Sequence, residues 1–276
     1  MKKILITGDK SYIGDSVKEY LLQEPDKYLV TTKDTMGWTP KASDFSGFDV
    51  VFNVAGIAHI KETPENKKLF FEVNRNLIIK IARAAKRAGV GQFVLLSSMS
   101  VYGILNGHIT KHTPAKPINA YGKSKVQADE AIKKLEDENF KFACLRPPMV
   151  YGKGCKGNYQ SLRKFALKSP VFPRYQNDRS MIFIGNLCDF IKRIIDEDRS
   201  GLFFPQNAEY VNTSNMVKLI SQNHGKHIRF TKVFNWLIKI MPFSVFKKVF
   251  GSLTYEPVDK VYKYDFKESI RLSETE

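Results

Sequence analysis

Lys2-Lys3-Ile4-Leu5-Ile6-Thr7-Gly8-Asp9-Lys10-Ser11-Tyr12-Ile13-Gly14 opens a chain of 276 residues, and the reading of this stretch decides the fold. Ile4, Leu5 and Ile6 make a short apolar run of the kind buried on both faces of a parallel sheet. Asp15 to Gln23 then carries Val17, Leu21 and Leu22 at helical spacing. The segment is predicted as strand, glycine turn and helix. Gly8 allows the tight turn, and Gly14 lets the helix pack closely on the strand. Ser11, Tyr12 and Ile13 stand at the helix N-terminus, where N–H groups and the helix dipole suit a pyrophosphate. A plain surface turn is the competing reading, but the position directly after an apolar strand favours a dinucleotide site.

Downstream, strands are predicted at 28–33, 50–54, 92–97 and 141–146, separated by a helix from Glu65 to Gly89 and another after Tyr121. Strand–helix alternation of this kind is that of an α/β, Rossmann-like, doubly wound parallel sheet. The expected division is a dinucleotide-binding domain over residues 1–150 and a small C-terminal substrate-binding region over 151–276, interleaved with the last sheet elements.

Two further segments carry chemistry. Phe93 to Leu96 is an apolar run ending in Ser97 and Ser98, and in an open parallel sheet ligands lie beyond the carboxyl ends of strands. Tyr121 and Lys125 are four residues apart in a predicted helix, so their side chains share a face. A phenol exchanges protons near neutral pH only if a cation stabilises its phenolate, and Lys125 is placed to be that cation.

With these motifs in order, the chain resembles an extended short-chain dehydrogenase/reductase of the NAD-dependent epimerase/dehydratase type. That group includes nucleotide-sugar epimerases, 4-keto reductases and dehydratases. The resemblance rests on Thr7 to Gly14, Ser98 to Gly103, Tyr121 to Lys125, and Leu145-Arg146-Pro147-Pro148-Met149-Val150-Tyr151-Gly152, and covers about residues 1 to 200. It implies Ser98 as the catalytic hydroxyl, Tyr121 as the acid/base, and Lys125 as the cation that binds the nicotinamide ribose. It also implies cofactor contacts from Asp44 and Phe45, Ala55 and Gly56, Asn74 and Pro147. Substrate contacts are implied from Ser98, Met99, Ser100, Tyr121, Asn158 and Arg179, the last two holding a nucleoside diphosphate. Ser11 replaces the middle glycine of the turn, and Met149 stands where many relatives have Asn. Met99 and Ser100 occupy the positions where dehydratases carry an Asp-Glu pair, so elimination of water lacks its proton carriers. The expected cofactor is NAD, because Asp34 follows the second strand about twenty residues after Gly14 and would take the ribose hydroxyls. Lys33 beside it could instead pair with the 2′-phosphate of NADP.

Net charge is +16. Dispersed basic residues without a nucleic-acid module exclude nucleic acid as the expected partner. A positive field steers acidic ligands such as a nucleotide sugar inward. Tyr210 to Tyr255 contains no Asp or Glu, and within it residues 226–253 interleave lysines with Phe230, Trp236 and other apolar residues. That pattern is expected to form short basic amphipathic helices, packed on the substrate region, against a second subunit as a homodimer, or on an anionic membrane. No apolar stretch precedes Lys2 to act as a cleaved signal, so a cytoplasmic, or membrane-peripheral, location is expected. Cys144, Cys155 and Cys188 read as buried thiols of a reducing compartment. His224 and His227 lack a nearby cysteine or carboxylate in sequence and read as loop residues, with no metal site expected.

The expected function is an NAD(P)-dependent oxidoreductase acting at C4 of a nucleotide sugar, a UDP-linked 4-keto-6-deoxyhexose reductase of surface polysaccharide synthesis. A nucleotide-sugar 4-epimerase is the alternative, since both use the same residues. A non-catalytic dinucleotide-binding sensor is the rival from another class, and retention of Ser98, Tyr121 and Lys125 argues against it.

Overall fold

The computed structural model describes the chain except for His59, Phe234, residues 237–248 and 258–261, and Glu276. Much of the expected basic amphipathic segment 226–253 therefore lies outside the described residues. The chain divides into two units. The first comprises Met1–Gly103, Pro114–Pro147 and Leu187–Pro205, and the second Ile104–Thr113, Pro148–Asn186 and Gln206–Glu276.

The first unit is built on six strands: β1 (Lys2–Thr7), β2 (Tyr28–Lys33), β3 (Val50–Asn53), β4 (Gln92–Leu96), β5 (Lys141–Leu145) and β6 (Gly201–Phe203). They lie in the order β6-β5-β4-β3-β1-β2 with every neighbouring pair parallel. The doubly wound parallel sheet expected from the sequence is the sheet observed. Ile4, Leu5 and Ile6 are buried, as are all four residues of β3, because helices cover both faces of such a sheet. Chain order reverses between β1 and β3, and this switch point opens a crevice at the strands' carboxyl ends.

Helices α1 (Tyr12–Leu21), α2 (Lys67–Phe71), α3 (Ile78–Arg87) and α4 (Ala120–Lys133) connect these strands. The single helix expected from Glu65 to Gly89 is one helical run with a π turn over Glu72–Leu77 joining α2 to α3. A π turn inserts a residue into the helical ladder, a local event that hydrophobic periodicity does not signal. Here it carries the buried Asn74. Ile78, Ile81, Ala82 and Ala85 of α3, with Ile132 of α4, pack on Leu5, Val51, Phe93, Leu95 and Phe142 of the sheet.

Among its described residues the second unit contains three parallel two-stranded pairs: Met149–Tyr151 with Met181–Phe183, Val171–Pro173 with Arg229–Thr231, and Gly107–Ile109 with Leu253–Tyr255. Three helices of this unit, Asn158–Lys168, Thr213–Asn223 and Phe266–Glu274, are joined through one carboxylate. Glu274 accepts hydrogen bonds from Tyr159 at 2.6 Å and Arg163 at 2.7 Å and lies 2.7 Å from His224 Nε2. His224 is thus a partner of a buried acid and not a plain loop residue, because the chain's last helix brings Glu274 to it from fifty positions away. The three cysteines are free and buried, as expected.

Candidate active site

At the end of β1 the chain turns at Gly8, whose φ of 111° favours glycine, and a Cβ there would come within 2.7 Å of the Ala55 nitrogen. Ser11, which replaces a glycine, caps α1 by accepting the Gly14 N–H at 3.3 Å, so its hydroxyl serves the helix N-terminus. A Cβ on Gly14 would meet Val54 Cγ2 at 2.9 Å and Ile6 Cγ2 at 3.3 Å, which is the close helix-on-strand packing predicted for it. Tyr12 and Ile13 form the first turn of α1.

Beyond β3, Asn74 holds the loop after Ala55 and Gly56. Its Oδ1 accepts the Ile57 N–H at 2.8 Å and its Nδ2 donates to the Ile57 carbonyl at 2.9 Å. A Cβ on Gly56 would come within 2.9 Å of Asn74 Oδ1 and 3.2 Å of Lys125 Nζ. Close backbone packing at Gly8 and Gly56, together with the capped N-terminus of α1 and a buried ammonium, fits a dinucleotide's pyrophosphate and nicotinamide ribose.

On the far side of β1, Lys33 is the last residue of β2. It is paired with Thr7, and its carbonyl accepts the Gly8 N–H at 2.9 Å. Its ammonium lies 5.4 Å from the centroid of the Trp38 ring. Asp34 sits just past the strand, exposed, with Oδ1 accepting the Met36 N–H at 3.0 Å. Asp44 accepts from Trp38 Nε1 at 3.1 Å and from the Lys41 N–H at 2.8 Å, while Phe45 is fully buried beneath.

The candidate reacting groups converge where β4 ends. Ser98 caps a 3-10 turn over Met99–Tyr102, and the Pro147 carbonyl holds the Met99 N–H at 3.0 Å. Asn119 caps α4, accepting the Gly122 N–H at 2.8 Å, and Glu62 accepts the Ala120 N–H at 2.7 Å. A Cβ on Gly122 would meet the Ser100 carbonyl at 2.8 Å. The bare glycine therefore lets the start of α4 abut the Ser98 turn, and this brings Tyr121 to Ser98. The Ser98 hydroxyl hydrogen-bonds the half-buried Tyr121 phenol, and Phe70 meets the phenol ring edge-on with centroids 6.4 Å apart. Burial pushes the Tyr121 pKa up, and the Ser98 hydrogen bond opposes that shift. Lys125, 5% exposed, donates to the Leu96 carbonyl at 2.9 Å, and burial lowers its pKa to about 8. The spacing predicts that Lys125 lowers the Tyr121 pKa, but burial and the Asp129 carboxylate raise it and the Ser98 hydroxyl is the group that lowers it.

Beneath this lies a part the sequence reading did not single out. Asp129 Oδ2 accepts the Ser97 hydroxyl at 2.9 Å and Arg146 Nε at 3.1 Å, and Arg146 Nη1 donates to the Tyr102 hydroxyl at 2.9 Å. Its signal was the spacing: Tyr121, Lys125 and Asp129 recur every four residues on one face of α4. In the second unit, Asn158 opens its helix and is exposed, while Arg179 Nη1 donates to the Gly251 carbonyl at 2.6 Å. Burial lowers the Arg179 pKa, and among the described residues no carboxylate pairs with it.

Residues 4–202 match the NAD dependent epimerase/dehydratase family. The chain belongs to that family. Membership makes it an NAD(P)-dependent enzyme and accounts for the glycine turn, the Ser98 turn and the Tyr121/Lys125 pair in one frame. A UDP-glucose 4-epimerase of Vibrio cholerae is 27% identical over 91% of this chain and 83% of its own length. An N-acetyl-alpha-D-glucosaminyl-diphospho-ditrans,octacis-undecaprenol 4-epimerase of Escherichia coli O157:H7 is 27% identical over 66% of this chain and 57% of its own length. The crystal structure of a dTDP-4-dehydrorhamnose reductase of Bacillus anthracis in complex with NADP has the same fold. It superposes with a TM-score of 0.76 at 16% identity, covering 99% of this chain and 98% of that one.

Proposed function

We propose that this member of the family is a reductase acting at C4 of a UDP-linked 4-keto-6-deoxyhexose in surface polysaccharide synthesis. The observation that carries the reading is the Ser98–Tyr121–Lys125 cluster at the end of β4, followed by Met99 and Ser100 in place of an acidic pair. When bound, the dinucleotide supplies the hydride. The chain's own residues do the rest. Ser98 hydrogen-bonds the keto oxygen, Tyr121 gives it the proton, and Lys125 holds the ribose and compensates the phenolate charge. Gly8, Gly56 and the N-terminus of α1 accept the pyrophosphate, and Arg179 and Asn158 take the substrate's diphosphate. With no carboxylate at positions 99 and 100 to move a proton, elimination of water is disfavoured.

The 27% identity to the Vibrio cholerae epimerase favours a second reading, 4-epimerisation through the same residues. Purified protein supplied with NADH or NADPH and a UDP-linked 4-keto-6-deoxyhexose is expected to oxidise the cofactor stoichiometrically. No oxidation, together with interconversion of UDP-glucose and UDP-galactose, assigns the epimerase.

The second unit supports a peripheral membrane contact. Residues 156–177 are also free of Asp and Glu, as are 210–255, and Val171–Pro173 of the first stretch pairs with Arg229–Thr231 of the second. Phe165 and Trp236 are 58% and 60% exposed in these stretches. The Escherichia coli relative's lipid-linked substrate suits such a surface. Sedimentation with vesicles rich in anionic lipid is expected at low salt and lost at high salt. A dimer without vesicle binding assigns these residues to a subunit interface.

A further inference from the structure

We propose that Asp129 is a positioning residue for the reaction: it clamps the end of β4 and keeps Lys125 cationic, with Arg146 retaining its charge in turn. The inference deepens the reading of Ser98, Tyr121 and Lys125 as the reacting groups.

The clamp works through three consecutive residues. Leu96 supplies the carbonyl that holds Lys125 Nζ at 2.9 Å, Ser97 donates to Asp129 at 2.9 Å, and Ser98 bonds the phenol. One carboxylate therefore fixes the segment that orients both the cation and the catalytic hydroxyl, while sitting on the helix that bears Tyr121 and Lys125. Within this arrangement the Lys125 ammonium and the Ser97 hydroxyl each have a fixed acceptor, which is part of what preorganisation of a proton-transfer site requires.

Charge adds a second function. Lys125 and Asp129 are 5% and 3% exposed, so neither is solvated by bulk water. Burial disfavours the ammonium, and the Asp129 carboxylate one turn away opposes this. Burial likewise pushes the Asp129 carboxyl up, against Arg146, Ser97 and Lys125, which stabilise its anion. Arg146 reaches Asp129 Oδ2 through both Nε and Nη2, each at 3.1 Å, and stabilises its anion against the burial. The other titratable groups against this face are Tyr121 on α4, the buried Cys144 thiol of β5 and the Tyr102 phenol of the 3-10 turn, the last held by Arg146. From the π turn, Arg75 is tied to Gln127 and Glu72 is exposed. The carboxylate facing Lys125 in this layer is Asp129.

The test reads Lys125 directly in the cofactor-free chain, by NMR titration of ¹³Cε-labelled lysine with the resonance assigned through Lys125→Met. Asp129→Asn keeps the hydrogen-bonding shape and removes the charge, so the Lys125 pKa is expected to fall by about one unit or more. Because Arg146 is then buried without its partner, Asp129→Asn/Arg146→Gln is measured beside it, and Asp129→Glu is expected to restore the wild-type titration. The alkaline limb of kcat against pH should move down in step, with KM little changed. A folded variant whose Lys125 titrates as in the wild type overturns the proposal, whatever its loss in Tm. Wild-type Lys125 already neutral at pH 7 overturns it without any variant. None of the NMR readouts needs a substrate, so a failed sugar assignment leaves this result standing.

Discussion

Asp129 and Glu274 are both buried carboxylates at the hub of a hydrogen-bond network, and the company each keeps separates a chemical site from a structural one. Glu274 joins three helices of the second unit through Tyr159, Arg163 and His224, of which Arg163 and His224 reach solvent. Asp129 meets Arg146 and Ser97 in the interior of the first unit, one helical turn from Lys125. Burying an unshared charge costs stability, so a network is kept only where it fixes geometry or tunes a proton. The phenols differ in the same way. Burial and the hydrogen bond to an acid drive the Tyr159 pKa far up and leave that phenol inert, whereas burial raises the Tyr121 pKa against the opposing Ser98 hydroxyl.

The largest effect expected from breaking this contrast is in the rate. Tyr121→Phe should fold normally, bind the cofactor, and lose about 10²-fold in turnover; unaltered rates on a verified substrate remove Tyr121 from the chemistry. Glu274→Gln should do the reverse, losing roughly 2 kcal/mol of stability in urea denaturation while per-molecule turnover of the folded enzyme stays near wild type.

A sharper test uses pH. Lys125 titrates at about 8 in the folded chain against an ordinary 10.5, so the unfolded chain binds the extra proton between these values. The penalty for burying the charge is fully present below about 8 and is relieved as pH rises. Wild-type stability relative to Lys125→Met is therefore expected to rise from about pH 8 to 10.5, while turnover falls over the same window as the cation is lost. Parallel curves for the two proteins in denaturation at stepped pH would contradict the burial of a charged Lys125.

The smallest effect concerns the cofactor's far end. Lys33 closes β2 and Asp34 is occupied by the Met36 N–H, so Lys33→Ala should weaken NADPH several-fold and leave NADH nearly unchanged in calorimetric titration. Asp34→Ala should weaken NADH the more. Equal losses for both cofactors in both variants would place the 2′ position elsewhere.

Sequence alone determined the sheet, because buried parallel strands announce themselves as apolar runs between helices, as Ile4–Ile6, Val50–Phe52 and Phe93–Leu96 do. It also determined the glycine turn and the placing of Tyr121 and Lys125 on one helix, since these follow from local backbone needs and helical spacing. Tertiary structure alone decided what joins distant segments. The π turn that turns Asn74 onto Ile57, the bare Gly122 against the Ser100 carbonyl, the Asp129–Arg146 pair and the Glu274 hub each depend on contacts between elements far apart in the chain. Periodicity reports which face of an element is buried, and only packing reports which partner it is buried against.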